Sequence, residues 1–512
     1  MAVGHLTTLN SAKLSKWHLR AIIVAGVGFF TDAYDIFIIN LAVPMMGYVY
    51  YQDNNNKVPS QYEGPLKGAT AFGTLIGQLL FGYLSDKLGR KKMYGSELII
   101  IIFATLCCAL AGSWARGLNA LAILGFWRFI LGIGIGGDYP VSAVITSEFS
   151  STNRRGMMIA AVFASQGIGI LVAAIFTVIV LAIFQGAIRA DTGNLDYVWR
   201  LMLGFGCVPA IFTVYFRLTM PESPRYTAEV RGDLAQASED MKAVLGGADK
   251  DHENTGNPVE PGNNHELAVP DHHDQHDEGD IYKENRSFVH HFGQWKNLKV
   301  LLGTSLSWFF LDIAFYGLSL NQSYVLQAIG YSSSGLAPYD ALWTSAIGNL
   351  IISLMGTVPG YWFTVFLIER MGRIRIQLMG FALLTIIFVI LSAGFYKIRD
   401  TAVALFIALF TLAQFFFNFG PNTTTFVLPS EVFPTRFRST AHGISAASGK
   451  LGAIIATFGF NELVEIGGKD GDHAFLPQTL GIFAGIMFLG FLTTFWIPET
   501  KGKSLEEISG EN

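Results

Sequence analysis

Gly136 to Glu148 reads G-G-D-Y-P-V-S-A-V-I-T-S-E and lies deep inside a long apolar stretch. Such a stretch reads as a membrane span, where an acidic residue is expensive and marks a functional site. This one carries Asp138, a helix-bending Pro140 and a closing Glu148. The Gly136-Gly137 pair ahead of Asp138 lets a neighbouring backbone come close. The rest of the chain can be placed relative to this segment.

Composition agrees with a membrane protein. Of 512 residues, 51% are hydrophobic and only 14% charged, with 55 Gly and 41 Phe. A soluble domain carries roughly 25% charge. A net charge of −4 offers no basic surface for nucleic acid. Cys107, Cys108 and Cys207 all sit in apolar stretches, so no disulfide framework is implied. The polar start, Met1 to Arg20, lacks the short apolar core of a cleaved signal.

A span needs about 20 apolar residues. Twelve stretches qualify, at about 20–47, 65–86, 93–114, 118–148, 156–186, 198–219, 298–328, 339–368, 375–396, 401–430, 439–465 and 476–498. Several exceed the minimum, which predicts tilts or kinks. Lys and Arg set the orientation. Lys13, Lys16, Arg20, the Lys87–Lys92 cluster, Arg154, Arg155, Arg217, Arg225, Arg370, Arg373, Arg375, Arg436, Arg438, Lys501 and Lys503 fall on one side. That side reads as cytoplasmic, with both termini inside.

Residues 221–296 form a polar stretch with His265, His272, His273 and His276 among Asp and Glu. It reads as a disordered cytoplasmic linker, the alternative being a His-rich metal tract. The linker splits the spans six and six, and the two sets repeat. Leu84-Ser-Asp-Lys-Leu-Gly-Arg90 matches Leu367-Ile-Glu-Arg-Met-Gly-Arg373, and Ser147-Glu148 with Arg155 matches Ser430-Glu431 with Arg438, at one shared offset. Phe29-Phe30-Thr-Asp32 resembles Phe309-Phe310-Leu-Asp312. Pro221-Glu222-Ser and Pro498-Glu499-Thr close spans 6 and 12. The expected fold is therefore an all-α membrane protein of twelve transmembrane helices in two six-helix pseudo-symmetric halves. The expected divisions are 1–19, 20–220, 221–296, 297–499 and 500–512, with substrate bound between the halves.

These residues carry a family resemblance. The Gly82–Lys92 run, its weaker copy, Pro221-Glu222-Ser223-Pro224-Arg225 and Pro498-Glu499-Thr500-Lys501-Gly502 resemble the major facilitator superfamily, the last two its sugar-porter branch. Gly136–Glu148 resembles the G-G-D-Y-P-L-S-A-T-I-x-S-E run of proton-coupled inorganic phosphate symporters of fungi and plants. Val141 and Val144 depart from it and leave Asp138, Tyr139 and Glu148 in place. The resemblance covers nearly all the chain outside the linker and is closest to the fungal high-affinity members.

Polar residues within the spans nominate a site. Trp308, Asp312 and Tyr316 are spaced i, i+4, i+8 and share one helix face. An aromatic belt would explain Trp and Tyr, but not an acid between them in mid-span. Asn418 precedes Gly420-Pro421-Asn422, Gln166 lies between Ser165 and Gly167, and Lys450 follows Gly449. A buried Lys must be paired or hold an anion. For Gln166 a simple helix–helix hydrogen bond remains open. The resemblance assigns Tyr139, Gln166, Trp308, Asp312, Tyr316 and Asn418 to a phosphate pocket and makes Lys450 its neighbour. Phosphate would repel an ionised Asp312 and accept a hydrogen bond from a protonated one, so each ligand favours the other.

The resemblance also implies that Asp35 in span 1 and Arg128 in span 4 form a protonation switch. Asp32, Asp138 and Glu97 lie on the same route, and Asp312 takes part. The alternative is a static ion pair. Asp86, Arg90, Glu148 and Arg155, repeated as Glu369, Arg373, Glu431 and Arg438, read as salt bridges of an inside gate. The whole reads as a plasma-membrane proton:phosphate importer, functional as a monomer, in contact with phosphate, protons and the bilayer. It is no enzyme and needs no cofactor or metal. The competing readings are a proton-coupled sugar porter, an organic-cation carrier and a receptor that binds without transporting. A sugar porter would carry a Gln-rich span 7, and Lys450 argues against a cation substrate.

Overall fold

The computed structural model describes residues 16–113, 119–233, 287–328, 335–464 and 474–510, with 235–237, 239, 331 and 466 as isolated positions between them. The described residues are almost entirely helical and contain no strand. Among the described residues, eleven helices are long and apolar enough to cross a membrane. They are α1 (His18–Tyr50), α3 (Arg90–Ala109), α4 (Ala120–Phe149), α5 (Arg155–Ala190), α6 (Thr192–Leu218), α7 (Trp295–Ser319), α8 (Pro338–Met371), α9 (Arg373–Ala393), α10 (Val403–Val432), α11 (Arg438–Val464) and α12 (Leu476–Thr494). The twelfth, α2 (Ser60–Leu88), is 29 residues long. Its low hydropathy reflects Lys67, Thr70, Thr74, Gln78 and Ser85, all buried. The chain is a multi-pass membrane protein.

Several helices bend where the sequence removes a hydrogen bond. Within α10 the helix stops at Asn418 and restarts at Pro421, which has no N–H to give. In lipid the freed backbone groups need protein partners. The Asn418 carbonyl accepts from Thr364 Oγ1 at 2.7 Å and Thr423 Oγ1 at 2.8 Å. A wide turn at Ser353–Thr357 loosens α8, and Pro140 lies inside α4. The span expected to run to 328 ends at Ser319, because Asn321 folds back and donates to the Gly317 carbonyl at 2.9 Å. A separate short helix, Gln322–Ala328, follows.

The expected linker also needs correction at its ends. Pro224–Glu229 and Phe288–Gly293 are helical, and Ser223, Arg225 and Phe292 are buried. Pro at the first turn and Ser223 as cap explain why Pro224–Glu229 winds up. The tail, expected only as a terminus at 500–512, forms a capped helix at Leu505–Ser509 with Leu505 buried. His265, His272, His273 and His276 lie outside the described residues, as do residues 1–15.

Glycine sets the spacing of α2, α4 and α11. A Cβ at Gly136 would stand 2.3 Å from the Thr74 carbonyl oxygen, and one at Gly443 would stand 2.3 Å from that of Gln78. Both distances are below any real contact, so these backbones touch only because the side chains are absent. Gly136→Leu should therefore separate α2 from α4 and sharply reduce the folded yield. Monodisperse protein in detergent at wild-type yield and thermal stability would contradict this.

Candidate functional site

Four aromatic and charged side chains of the second half meet two polar ones of the first. Trp308, Asp312 and Tyr316 share one face of α7, and Lys450 faces them from α11. Lys450 Nζ donates to Asp312 Oδ2 at 2.9 Å and to the Tyr316 hydroxyl at 2.8 Å. It also lies over the Tyr316 and Tyr139 rings, at 4.2 and 5.4 Å. From α5, Gln166 Nε2 donates to the Tyr139 hydroxyl at 2.8 Å. No member of the cluster is more than 5% exposed. In so dry a place a cation and an acid are each costly alone, and pairing offsets part of the cost.

Of the two options for a buried Lys, the structure shows pairing, with Lys450 the partner of Asp312. Asn418 lies one step away. Its carboxamide bonds Asn422, whose Nδ2 also reaches the Tyr361 hydroxyl at 2.8 Å. Tyr361 in turn faces Gln166 Oε1 at 3.4 Å. Tyr361 thus ties the halves together, and spacing alone gave no signal for it. Gly449 explains why Lys450 can approach. A Cβ there would lie 2.5 Å from Trp308 Cδ1 and 2.9 Å from Asp312 Oδ2. Toward the Arg-rich face, Phe163 and Phe426 from opposite halves stack at 4.4 Å.

The acids of the first half separate into two groups. Arg217 of α6 grips both oxygens of Asp138 at 2.8 Å and reaches Glu97 at 2.9 Å. Ser142 donates to Asp138 as well. Arg217 had counted only as a membrane-edge charge, and its burial could not be read from position. Asp35 and Arg128 do not form the expected ion pair. Arg128 Nη1 donates to the Asp35 backbone carbonyl at 3.2 Å, while Asp35 Oδ2 accepts from Thr105 at 2.9 Å. The Asp35 carboxylate packs against Gly206, where a Cβ would fall 1.9 Å from it. Asp32 is fully buried, and neither of its oxygens has a hydrogen-bond partner among the described residues.

At the Arg-rich face the duplicated motifs interlock. Glu148 accepts from Arg90 at 3.1 Å and from Arg438 of the other half at 3.2 Å. Its counterpart Glu431 accepts from Arg373 at 2.8 Å and from Arg155 of the other half at 3.0 Å. Asp86 caps the start of α11, accepting from the Thr440 amide at 2.7 Å, and Glu369 accepts from the Met157 amide of α5 at 3.1 Å. Acids at helix starts meet unpaired N–H groups and the positive end of the dipole. Glu222 and Glu499 likewise hold the amides of Arg90 and Arg373, each at 3.1 Å. Their repeat was visible in the sequence, but their partners were not. The tail joins in, with Thr500 bonding Glu431 and Arg225 pairing with Glu506.

Comparison with known proteins fits this architecture. The family described as "Sugar (and other) transporter" matches residues 21–511. The repressible high-affinity phosphate permease of Neurospora crassa is 46% identical over 99% of this chain and 89% of its own. Inorganic phosphate transporter PHO84 of Saccharomyces cerevisiae is 44% identical over 98% and 86%. Among solved structures, the proton:xylose symporter XylE bound to 6-bromo-6-deoxy-D-glucose superposes with a TM-score of 0.72 at 21% identity, covering 96% of this chain and 98% of its own. The inward open XylE from E. coli gives 0.61 at 20% identity, covering 96% and 99%. These two likenesses concern the fold.

The Arg225–Glu506 pair makes the tail contact pH-dependent. Burial works to raise the Glu506 carboxyl, but Arg225 and nearby hydrogen bonds outweigh it and hold it below the usual glutamate range. A depressed carboxyl stabilises the fold above its ordinary range and loses that contribution as it protonates on acidification. Glu506→Gln should cost roughly 1–3 kcal/mol at neutral pH. The difference from wild type should close below about pH 4.5, the ordinary glutamate value. Thermal unfolding in detergent across pH tests this, and a gap of constant size would count against it.

Proposed function

We propose that this chain, which belongs to the sugar (and other) transporter family of the major facilitator superfamily, imports inorganic phosphate together with protons by alternating access. The observation that carries the reading is the buried Lys450–Asp312 pair, at 2.9 Å, on the seam between the halves. A buried ammonium between two acceptors is a site an oxyanion can enter by replacing one of them. The two relatives named as phosphate carriers support phosphate as that oxyanion, and the buried cation disfavours a neutral sugar.

Coupling follows from the same pair. While Asp312 is ionised it occupies Lys450 and repels phosphate. A proton on Asp312 releases Lys450 to the anion and turns the acid into a donor. Each ligand thus favours the other's binding, and the coupling is reciprocal. Tyr139, Gln166, Trp308 and Tyr316 supply neutral donors around the anion, and Asn418 joins through Asn422. Asp32 is the natural proton carrier of the first half, since an ionised carboxylate without a contacting donor is costly there. Asp35, Asp138 and Glu97 extend its route, with Arg128 and Arg217 adjusting the acids they touch.

Alternation rests on the paired acids at the Arg-rich face. Asp86, Arg90, Glu148 and Arg155 with Glu369, Arg373, Glu431 and Arg438 hold the inner side shut, and breaking the cross-half pairs lets it open. The halves 20–220 and 297–499 move as units joined by 221–296. The Lys and Arg asymmetry supports a cytoplasmic position for 1–19 and 500–512. The plasma membrane is the proposed location, and one chain suffices for function.

Purified protein in proteoliposomes should accumulate labelled phosphate when the outside is acidic and lose that accumulation when the pH gradient collapses. Asp312→Asn should keep downhill exchange, because the amide mimics the protonated acid, yet lose gradient-driven accumulation. Lys450→Ala should weaken phosphate binding by tenfold or more, by analogy with ~1.5–3 kcal/mol for hydrogen bonds to charged groups. Wild-type accumulation by Asp312→Asn, or an unchanged half-saturation in Lys450→Ala, would remove these residues from the roles given.

A further inference from the structure

A second lysine lies buried at the opposite end of the seam. Lys67 of α2 is 3% exposed. Its ammonium meets Glu63 at 2.6 Å and Asn321 Oδ1 at 3.0 Å, and Asn321 follows α7 in the other half. Lys67 also lines a cavity of about 170 Å³ with Asn40, Asn55, Asn56, Lys57 and Ser323. Asn55 and Asn56 both have positive φ, 51° and 59°, a conformation that asparagine accepts more readily than most residues. A smaller cavity shares Asn40 and continues inward to Phe37, Phe315 and Gln322. There Phe37 stacks on Tyr316, with ring centroids 5.9 Å apart and planes at 13°. Tyr316 is the residue that holds Lys450. Asn40 also crosses the seam, donating to Asn349 at 3.4 Å.

We propose that the Lys67 cavity is an external capture station for an inorganic oxyanion, separate from the Lys450 site and loaded before it. The inference rests on the transport reading above, which makes the oxyanion phosphate and this end the outside. An arriving phosphate replaces Asn321 as a partner of Lys67. That exchange removes a polar contact between the halves, so arrival of substrate favours opening of the outer seam. Glu63 is the counterweight. Its carboxylate repels the anion and keeps the station weak enough to pass phosphate on past Asn40 and Phe37. Asn321 is a good leaving partner, since a neutral amide competes poorly with an anion for an ammonium.

Phosphate uptake into proteoliposomes at several ionic strengths tests this. Lys67→Gln keeps length and polarity but not charge. It should raise the half-saturation for phosphate about fivefold at low salt, the size of one water-screened charge contact. The maximal rate should hold, and the effect should shrink as salt screens the charge. Lys67→Arg should restore the wild-type value, and Glu63→Gln should lower it. Asn321→Ala removes the seam contact alone and should not raise the half-saturation. A wild-type half-saturation in Lys67→Gln would overturn the station. So would an equal rise in Lys67→Gln and Asn321→Ala, which would make Lys67 a seam contact only. Absence of phosphate uptake by the wild-type protein would instead overturn the transport reading.

Discussion

Glu148 has no exposed surface, and its carboxylate meets Arg90 of its own half at 3.1 Å and Arg438 of the other half at 3.2 Å. Stripping water from each such ion costs several kcal/mol, and attraction between partners returns the cost only while the geometry holds. An arrangement of this kind is a poor way to gain stability and a good way to make two states distinct. Duplication doubles it, because Glu431 does the same with Arg373 and Arg155. Each centre takes one arginine from the other half, so a rigid half cannot rotate without unpairing buried charge at both.

The opposite end of the seam is built more lightly. There the halves meet through Lys67 and Asn321, through Asn40 and Asn349, and through the exposed Arg189–Asp340 ion pair at 2.7 Å. Such contacts are worth about 0.5–3 kcal/mol each and exchange readily with water or solute. Between the two ends, the Lys450 cluster and the stacked Phe163 and Phe426 fill the seam. With both ends closed, the central side chains satisfy one another. A ligand that binds there must therefore compete with the protein's own acceptors, Asp312 first among them.

The fold was legible because its constraints act along one chain. Apolar runs of membrane length, the Lys and Arg asymmetry and the repeated motifs are all local signals. Trp308, Asp312 and Tyr316 could be grouped by helical spacing. Asn418 could be picked out beside Gly420-Pro421, and it sits at the edge of the break in α10. Gly136 announced a close approach, which the 2.3 Å gap to the Thr74 carbonyl requires.

Choice of partner was not legible, because it depends on how helices rotate against one another. Sequence could rank Asp138, Glu97, Arg128, Asp35 and Arg217 as charges in or beside the membrane. Only packing gives Asp138 and Glu97 to Arg217, turns Asp35 toward Thr105 and leaves Arg128 on a backbone carbonyl. A rotation of one residue's worth, about 100°, would redistribute all of these pairs without changing a letter. The same holds for Lys450, whose approach to Asp312 needs the bare face of Gly449, and for Tyr361, whose hydroxyl joins the halves through Gln166. Sequence by itself determined which residues are too costly to bury alone; the tertiary structure decided which of them relieve one another, since that depends on angstroms between helices distant in the chain.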